Sequence, residues 1–377
     1  MWRKSKLFSY RFRLYPSRQV EEALFQQLDL CRWLYNRLLE ELNRAKAEGQ
    51  KLTQKDTQAL IVKLKAEKSE LRLVYSKVLQ MVNYQLWSNI RGLSALKRKG
   101  RKIGRLRFKG HWFKTVNYNQ SGFRLEGKKL ILSKLGAINI KLHRPMEGNI
   151  KGVLIKRELS GKWFAVFQVD GLKHEGVSKT ERAIGLDVGI KHFLTDSDGR
   201  QIENPRFYGR SLETLRITHK VLSRKKRGSS NSAKAKVKLA RAYEKVTNQR
   251  DDFLHKLSRF YVNNYDVISV EDLSVTNMVR NHNLSRKILD ASWSKFLQML
   301  SYKAESAGRR FVKVNPRGTS REYKRGELDR DYNAALNILE RGLSGLGRPP
   351  APVEVKPLLA TVPARVIVEA GRPHPLG

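Results

Sequence analysis

Asp187 interrupts a short apolar run, Ala183-Ile-Gly-Leu-Asp-Val-Gly189. Glu271 follows directly on a second run, Tyr265-Asp-Val-Ile-Ser-Val270, and Asp331 opens a helical pattern with Ala334, Ala335, Ile338 and Leu339 on one face. Three carboxylates brought close repel one another, and a divalent cation resolves the repulsion. Two such ions about 3.5–4 Å apart activate a water and stabilise the leaving oxygen of a phosphodiester. Each acid also has a plainer reading. Asp187 could face solvent, and Glu271 competes with its neighbour Asp272. Asp329 and Asp331 could merely favour a helix N-terminus, where negative charge gains roughly 0.3–1 kcal/mol. The ordered triple carries the chemical reading, because no one acid does.

The elements between the acids decide whether they can meet. Ser197-Asp-Gly199 predicts a hairpin after the Asp187 strand. A long, very basic helical stretch follows over about 209–262 and contains Ser223-Arg-Lys-Lys-Arg-Gly228. Beyond Glu271, the residues Trp293, Phe296, Leu297, Leu300, Ala304 and Ala307 recur at intervals of three and four, predicting a helix over 290–307. Arg309 to Val314 reads as a further strand. In an RNase H-like fold the first and fourth strands of such a series are neighbours, so acids on them can converge with one from a packed helix.

Charge points to the partner. The chain has 377 residues, with 76 Lys plus Arg against 35 Asp plus Glu, a formal charge of +41. Self-repulsion on that scale opposes a compact state unless a polyanion neutralises it, and nucleic acid is the commonest one. At 40% hydrophobic and 9% aromatic residues the chain is too apolar for a disordered basic tail. Cys31 is the only cysteine, which excludes an intramolecular disulfide and a cysteine-based zinc finger. The eight histidines are scattered without close pairs. No apolar run approaches roughly 18 residues, so no membrane span is expected. The N-terminus lacks the long apolar core of a signal peptide, so the expected compartment is the cytoplasm or, in a eukaryotic cell, the nucleus.

Residues 6–14 alternate apolar and basic, predicting a strand with one buried face. Pro16 and Ser17 open a helical region to about residue 96, with Leu24, Leu28, Cys31, Leu34, Leu38 and Leu42 on one stripe. A second helical stretch, about 74–96, carries Val78, Leu79, Val82, Leu86, Ile90 and Leu93. Gln80, Asn83, Tyr84, Asn89 and Arg91 lie mostly off that stripe and read as a solvated face. Residues 97–109 hold eight basic residues in thirteen with two glycines. In so basic a chain, Lys97, Arg98, Lys99, Arg101, Lys102, Arg105 and Arg107 form a phosphate-binding loop. Arg224, Lys225, Lys226 and Arg227 form a second candidate for backbone contact. Six short strand-like pieces between 116 and 169 predict a small antiparallel barrel or sheet. The opening strand would complete it, leaving the helical region as an insertion. Seven of the eleven prolines fall in 342–377, which reads as a largely disordered tail.

Seven segments in order resemble TnpB, the RNA-guided nuclease family of IS200/IS605-type insertion sequences, related to the ancestors of type V (Cas12) effectors. They are Ile184-Gly-Leu-Asp-Val-Gly-Ile-Lys191, Glu203-Asn-Pro-Arg206, Leu222-Ser-Arg-Lys-Lys-Arg-Gly-Ser229, Asn248-Gln-Arg-Asp-Asp-Phe-Leu-His-Lys256, Val270-Glu-Asp-Leu273, Asp290-Ala-Ser-Trp293 and Asp329-Arg-Asp-Tyr-Asn-Ala-Ala-Leu-Asn-Ile338. Tyr10-Arg-Phe-Arg-Leu-Tyr-Pro16 and Arg32-Trp-Leu-Tyr-Asn36 match more weakly. The resemblance implies an α+β multidomain protein. A β-barrel-like wedge domain would span 1–15 and 105–180, with a helical recognition domain at 16–104 inserted in it. A RuvC-type nuclease domain of RNase H-like α/β fold would span 181–341. It implies a transposon-end-derived guide RNA and cleavage of double-stranded DNA beside a short transposon-adjacent motif, by a monomer in a prokaryotic cytoplasm. It also implies a two-ion Mg²⁺ site, with Mn²⁺ as a substitute, on Asp187, Glu271 and Asp331. Asp331 is chosen over Asp329 because the family's acid lies two residues before Asn333. Gln80, Asn119 and Gln120 are similar in position to residues that contact DNA next to the target.

One departure is plain. Family members usually carry two cysteine pairs of a zinc-binding insertion between the Pro316-Arg-Gly-Thr-Ser320 stretch and the final Asp motif. Here no cysteine stands there. No structural zinc is expected, and the target-loading insertion is reduced to about 317–328. Two rival readings follow. A guided repressor without cleavage agrees with the missing insertion and disagrees with the intact triad. A direct transposase would need a nucleophilic Tyr, or a strand-transfer acidic triad with its own end-binding domain, and neither is evident.

Overall fold

The computed structural model describes residues 7–111, 113–171, 178–320, 328–347, 357, 359 and 361–364. Residues 321–327 of the reduced insertion and most of the proline-rich tail fall outside them. The chain divides into two compact units, Met1–Lys173 and His174–Gly377.

In the first unit β1 (Phe8–Tyr15) leads into α1 (Arg18–Ala47), α2 (Gln54–Glu67), a 3-10 turn (Ser69–Leu73) and α3 (Ser76–Arg98). Strands β2 (Thr115–Asn119), β3 (Phe123–Glu126), β4 (Lys129–Leu132), β5 (Gly136–Lys141), β6 (Asn149–Arg157) and β7 (Trp163–Asp170) follow. Pro16 cannot extend the strand, and Ser17 caps α1 by accepting from the Val20 N–H. Thr53 and Asp56 form a reciprocal capping box on α2. The seven strands pair antiparallel in the order β2-β6-β7-β1-β5-β4-β3. Strands β2 and β3 end that order, yet only residues 120–122 join them. Six strand spacings laid flat cover about 29 Å, whereas such a link reaches about 14 Å. The sheet must curl, which makes it barrel-like. Along β1, Phe12 and Leu14 are buried while Arg11 and Arg13 point outward, as the alternation predicts. The inserted helices do not form a core of their own. Leu28, Leu34 and Leu38 of α1 and Val78, Leu79 and Leu86 of α3 share one core with Phe12, Ile155, Trp163 and Phe167 of the sheet.

The second unit begins with β8 (Ala183–Val188), β9 (His192–Asp196) and β10 (Gln201–Glu203), then α4 (Phe207–Ser223) and α5 (Ser230–Asn264). It continues through β11 (Val267–Glu271), α6 (Val275–Met278), α7 (His282–Ala291), α8 (Trp293–Ser306), β12 (Arg310–Val314) and α9 (Arg330–Ser344). The sheet order is β10-β9-β8-β11-β12, with β8, β11 and β12 parallel and the first hairpins antiparallel. The first and fourth strands of the unit are therefore neighbours, the arrangement expected of an RNase H-like sheet. Strands β8 and β11 are largely apolar because Ile184, Leu186, Ile268 and Val270 lie in the core with Phe193, Phe253 and Phe296.

The structure corrects one expectation and adds detail to another. The single helix over 290–307 is broken at Ser292, whose φ of 58° ends α7 and starts α8. The periodicity survives the break, so the sequence pattern hides it. The tail is not wholly irregular either. Helix α9 runs to Ser344, and Val362 exchanges backbone hydrogen bonds with β10, its N–H reaching Gln201 O at 2.7 Å and its O receiving Glu203 N–H at 3.0 Å. Val362 and Ala364 pack on the second unit's core, so two apolar residues among prolines suffice to dock the segment on an open sheet edge. Among the described residues no helix is long and apolar enough to cross a membrane.

Candidate active site and nucleic-acid surfaces

The acid centre is built by helix α9 lying unusually close to β8 and β11. A Cβ placed on Gly185 would meet the Ala335 carbonyl oxygen at 2.1 Å, and one on Gly342 would meet Ser269 Oγ at 1.9 Å. Only glycine allows either approach. The packing sets the start of α9 beside the end of β8, where a Cβ on Gly189 would lie 3.9 Å from Asp331 Oδ2. Asp187 and Glu271 sit at the carboxyl-terminal ends of these two parallel strands. The three acids are half-buried, open enough to be reached from solvent.

Electrostatics mark the three as neighbours. The Asp187 carboxyl is pushed up to about 8, first by burial and then by the charges of Glu271 and Asp331, with Arg330 pulling the other way. Burial also raises Glu271, against the opposing pull of its hydrogen bond from Thr319 and of Arg341. The Thr319 hydroxyl donates to Glu271 Oε1, and the Thr319 carbonyl accepts from Asn337 Nδ2 at 2.8 Å. The neighbouring acids have other partners, although the Asp329 charge also adds to the rise of Asp187. Asp272 is exposed and paired with Lys313 at 2.7 Å, away from the centre. Asp329 is the N-cap of α9, accepting from the N–H groups of Asp331 and Tyr332, which leaves the Asp331 carboxylate without capping duty. The donor chemistry, carboxylate oxygen alone with no cation paired to Asp187 among the described residues, fits a hard divalent ion. Among the described residues, however, no three acid, His or Cys side chains stand close enough to enclose one. Closing the triad on a metal needs side-chain adjustment.

Reading by residue type missed the supports. Asp290 accepts from the N–H groups of Tyr208 and Gly209 and from Arg250 Nη2 at 2.9, 3.1 and 3.0 Å. It thus caps α4, whose own N-cap Arg206 has φ 45° and offers no side-chain acceptor. That long-range bridge explains why the segments around Asp290 and Arg250 need an acid and a guanidinium. Asn36 grips the end of the basic loop, giving and taking hydrogen bonds with the backbone of Lys109.

In the first unit a groove of about 820 Å³ gathers Gln80, Asn119 and Gln120, with Tyr84, Gln85, Asn89 and Asn117. Amides both donate and accept, the capacity that distinguishes base edges. The expected solvated face of α3 is only partly so. Asn83 is fully buried, bonded to Thr57 Oγ1, Gln54 O and Gln58 Oε1, because α2 packs over that side. This lock turns Gln80 and Tyr84 to the groove. Lys97, Arg98, Lys99, Arg101, Lys102, Arg105 and Arg107 are all exposed, with no ion pair to an acid among the described residues. Arg224, Lys225, Lys226 and Arg227 are exposed at the turn between α4 and α5.

Comparison with known proteins now places the chain. The OrfB family of IS605, described as a probable transposase, matches residues 166–282. A helix-turn-helix model of the same family matches 1–51, a range whose described residues hold β1 and the single long helix α1. A Cas12f1-like TNB model matches 293–327. A Streptomyces pristinaespiralis protein, named as a candidate RNA-guided DNA endonuclease, is 30% identical over 371 residues, covering 91% of each chain. The chain belongs to the TnpB family of IS605-type elements. InsQ of Escherichia coli K12, likewise a candidate RNA-guided DNA endonuclease, is 27% identical, covering 84% of this chain and 82% of its own. Among solved structures, a Cas12f1–sgRNA–target DNA complex matches with a TM-score of 0.52 at 13% identity, covering 89% of this chain and 99% of that one. That likeness concerns the fold. It is consistent with a multidomain, Cas12-like fold.

Proposed function

We propose that the chain is an RNA-guided, Mg²⁺-dependent DNA endonuclease that cuts double-stranded DNA next to a short transposon-adjacent motif. One observation carries the reading most: Asp187 and Glu271 end neighbouring parallel strands, with Asp331 at the helix start packed across them and burial and like charge raising Asp187. Asp187, Glu271 and Asp331 would hold the metal. When bound there, the metal polarises the phosphodiester and lowers the pKa of an attacking water. The chain's own part is to keep three carboxylates half-buried at one place, where burial and like charge make the ionised form of Asp187 costly until a cation neutralises it. The exposed cations at 97–107 and 224–227 neutralise guide and target phosphates without reading sequence. Base pairing reads the target, and the amide groove reads the flanking motif. The expected setting is a monomer in a prokaryotic cytoplasm.

The test is cleavage of a plasmid carrying a guide-matched target and a randomised flank by the purified protein–RNA complex in Mg²⁺. Cutting that needs the guide, selects one flank and falls at least about a hundredfold in Asp187→Ala supports the reading. A complex that keeps RNA and binds target while the plasmid stays intact would overturn it in favour of a guided repressor.

A further inference from the structure

The loop before α9 is tied to the acid centre by one hydroxyl. Thr319 is almost fully buried, at 2% exposure, while Asn315, Pro316 and Arg317 just before it are exposed. Its Oγ1 donates to Glu271 Oε1 and lies 3.0 Å from the Pro316 carbonyl oxygen. The loop in turn is clamped from α9. Asn337 Nδ2 donates to Thr319 O at 2.8 Å, and Arg341 donates to Asn315 O at 2.6 Å and Arg317 O at 3.0 Å. Among the described residues Thr319 is the sole hydrogen-bond donor to the Glu271 carboxylate. The connection runs from α9, which carries Asp331, through the loop to Glu271 on β11. Two of the three acids are therefore set by one helix: Asp331 directly, Glu271 through Thr319.

We infer that Thr319 is a positioning residue that fixes the rotamer of Glu271 for metal binding, with Asn337 holding Thr319 in place. The inference rests on the nuclease reading above. A hydroxyl that occupies one carboxylate oxygen leaves the other available as a ligand and lowers the entropy cost of ordering the side chain when an ion binds. The same hydroxyl also touches the Pro316 carbonyl oxygen, so a purely loop-closing role is the rival explanation. The two roles differ in what they move. Loop closure governs stability, whereas Glu271 positioning governs metal affinity.

The experiment compares wild type, Thr319→Val and Thr319→Ser as full-length protein–RNA complexes. Cleavage is measured against Mg²⁺ concentration. Mn²⁺ binding is followed by loss of the free-ion EPR signal, with Asp187→Ala supplying the background from RNA. Thr319→Val, which keeps shape and loses the donor, is expected to raise the Mg²⁺ midpoint about tenfold or more. Its Asp187-dependent Mn²⁺ binding should weaken in parallel, with Tm and guided DNA binding unchanged. Thr319→Ser should restore both metal readouts. A valine variant with wild-type Mg²⁺ midpoint and Mn²⁺ binding would overturn the inference. So would a loss of Tm shared by the valine and serine variants, which would assign the residue to loop closure. Wild type without Asp187-dependent Mn²⁺ binding would overturn the nuclease reading itself, and the inference with it.

Discussion

The acid centre of the second unit and the basic loop of the first solve opposite problems. Asp187, Glu271 and Asp331 are few, half-buried and carried by two strands and a helix whose approach is set by Gly185 and Gly342. The cations of 97–107 are many and exposed: Lys97 and Arg98 end α3, Leu106 packs on the first unit's core, and Asn36 holds the backbone of Lys109. Chemistry at one phosphorus needs atoms fixed within fractions of an ångström. Neutralising a phosphate backbone needs charge density, and a loop supplies that without fixed geometry. Single substitutions should therefore be severe in the first region and graded in the second.

The largest effect is expected where the centre depends on close packing. Gly185→Val puts a side chain against the Ala335 carbonyl, 2.1 Å from where a Cβ would lie. Overpacking of this kind costs about 3 kcal/mol. Thermal unfolding should show a lowered Tm, and cleavage should fall with it, since α9 carries Asp331. A Tm indistinguishable from wild type would mean that α9 can slide, and that the close packing does not set the acids.

The same centre should set stability against function. Asp187 is raised from 3.8 to about 8, so between those values the folded state keeps a proton that the unfolded chain has lost. Metal-free stability should therefore fall as pH rises from about 4 to about 8 and level off above. Glu271, also raised by burial, adds in the same direction. Asp187→Asn should flatten this dependence and stabilise the metal-free fold at pH 8 by more than about 1 kcal/mol even after discounting for solvent screening, seen as a raised Tm in chelator. Melts across pH with and without EDTA check it. A steeper decline in the Asn variant would contradict the assigned cause.

The elements that carry the candidate acids were legible in the sequence because they follow from local pattern, whereas the choice of Asp331 over Asp329 came from the family resemblance. Apolar runs ending in acids gave Asp187 and Glu271 their strands, and the small residues after Asp331 gave it a helix. What stayed hidden depends on partners distant along the chain. Thr319 looks like any loop threonine until β11 places Glu271 beside it, 48 residues away. Asn83 looks solvated until α2 covers it. Ser292 breaks a helix without disturbing its periodicity, because one residue in left-handed conformation redirects the axis and leaves the spacing intact. Val362 finds a strand partner only because β10 is an open edge. The barrel-like sheet was foreseen in its strands but not in its order, which places β1 at the centre.

Between the two extremes lies the amide groove, a fixed site suited to recognition. Gln80 on α3 and Asn119 on β2 face one space of about 820 Å³. Replacing either with Ala should relax flank preference at one or two positions, by about 1–3 kcal/mol for each base pairing with a side chain that is removed. Cleavage of a library with a randomised flank reads this directly. A uniform loss across all flanks would instead make the groove a backbone-binding surface like the loop.

The smallest effect per residue belongs to the loop itself. Each of Lys97, Arg98, Lys99, Arg101 and Lys102 is exposed and unpaired with any acid among the described residues, so removing one should cost little fold stability, the favourable placing of Lys97 and Arg98 in the last turn of α3 being a small effect. Under the proposed function its contribution is counter-ion release. For each phosphate no longer neutralised, the slope of log K against log salt should shrink by about 0.9 on duplex and about 0.7 on single strands. Replacing all five with Ala should weaken guided DNA binding at low salt, leave Tm and flank preference unchanged, and flatten the slope in proportion to the number removed. Titrations across a series of salt concentrations test it. A slope unchanged by the loss of all five charges would mean that the loop is merely solvated, and that density of charge, unlike placement of acids, is not by itself evidence of binding.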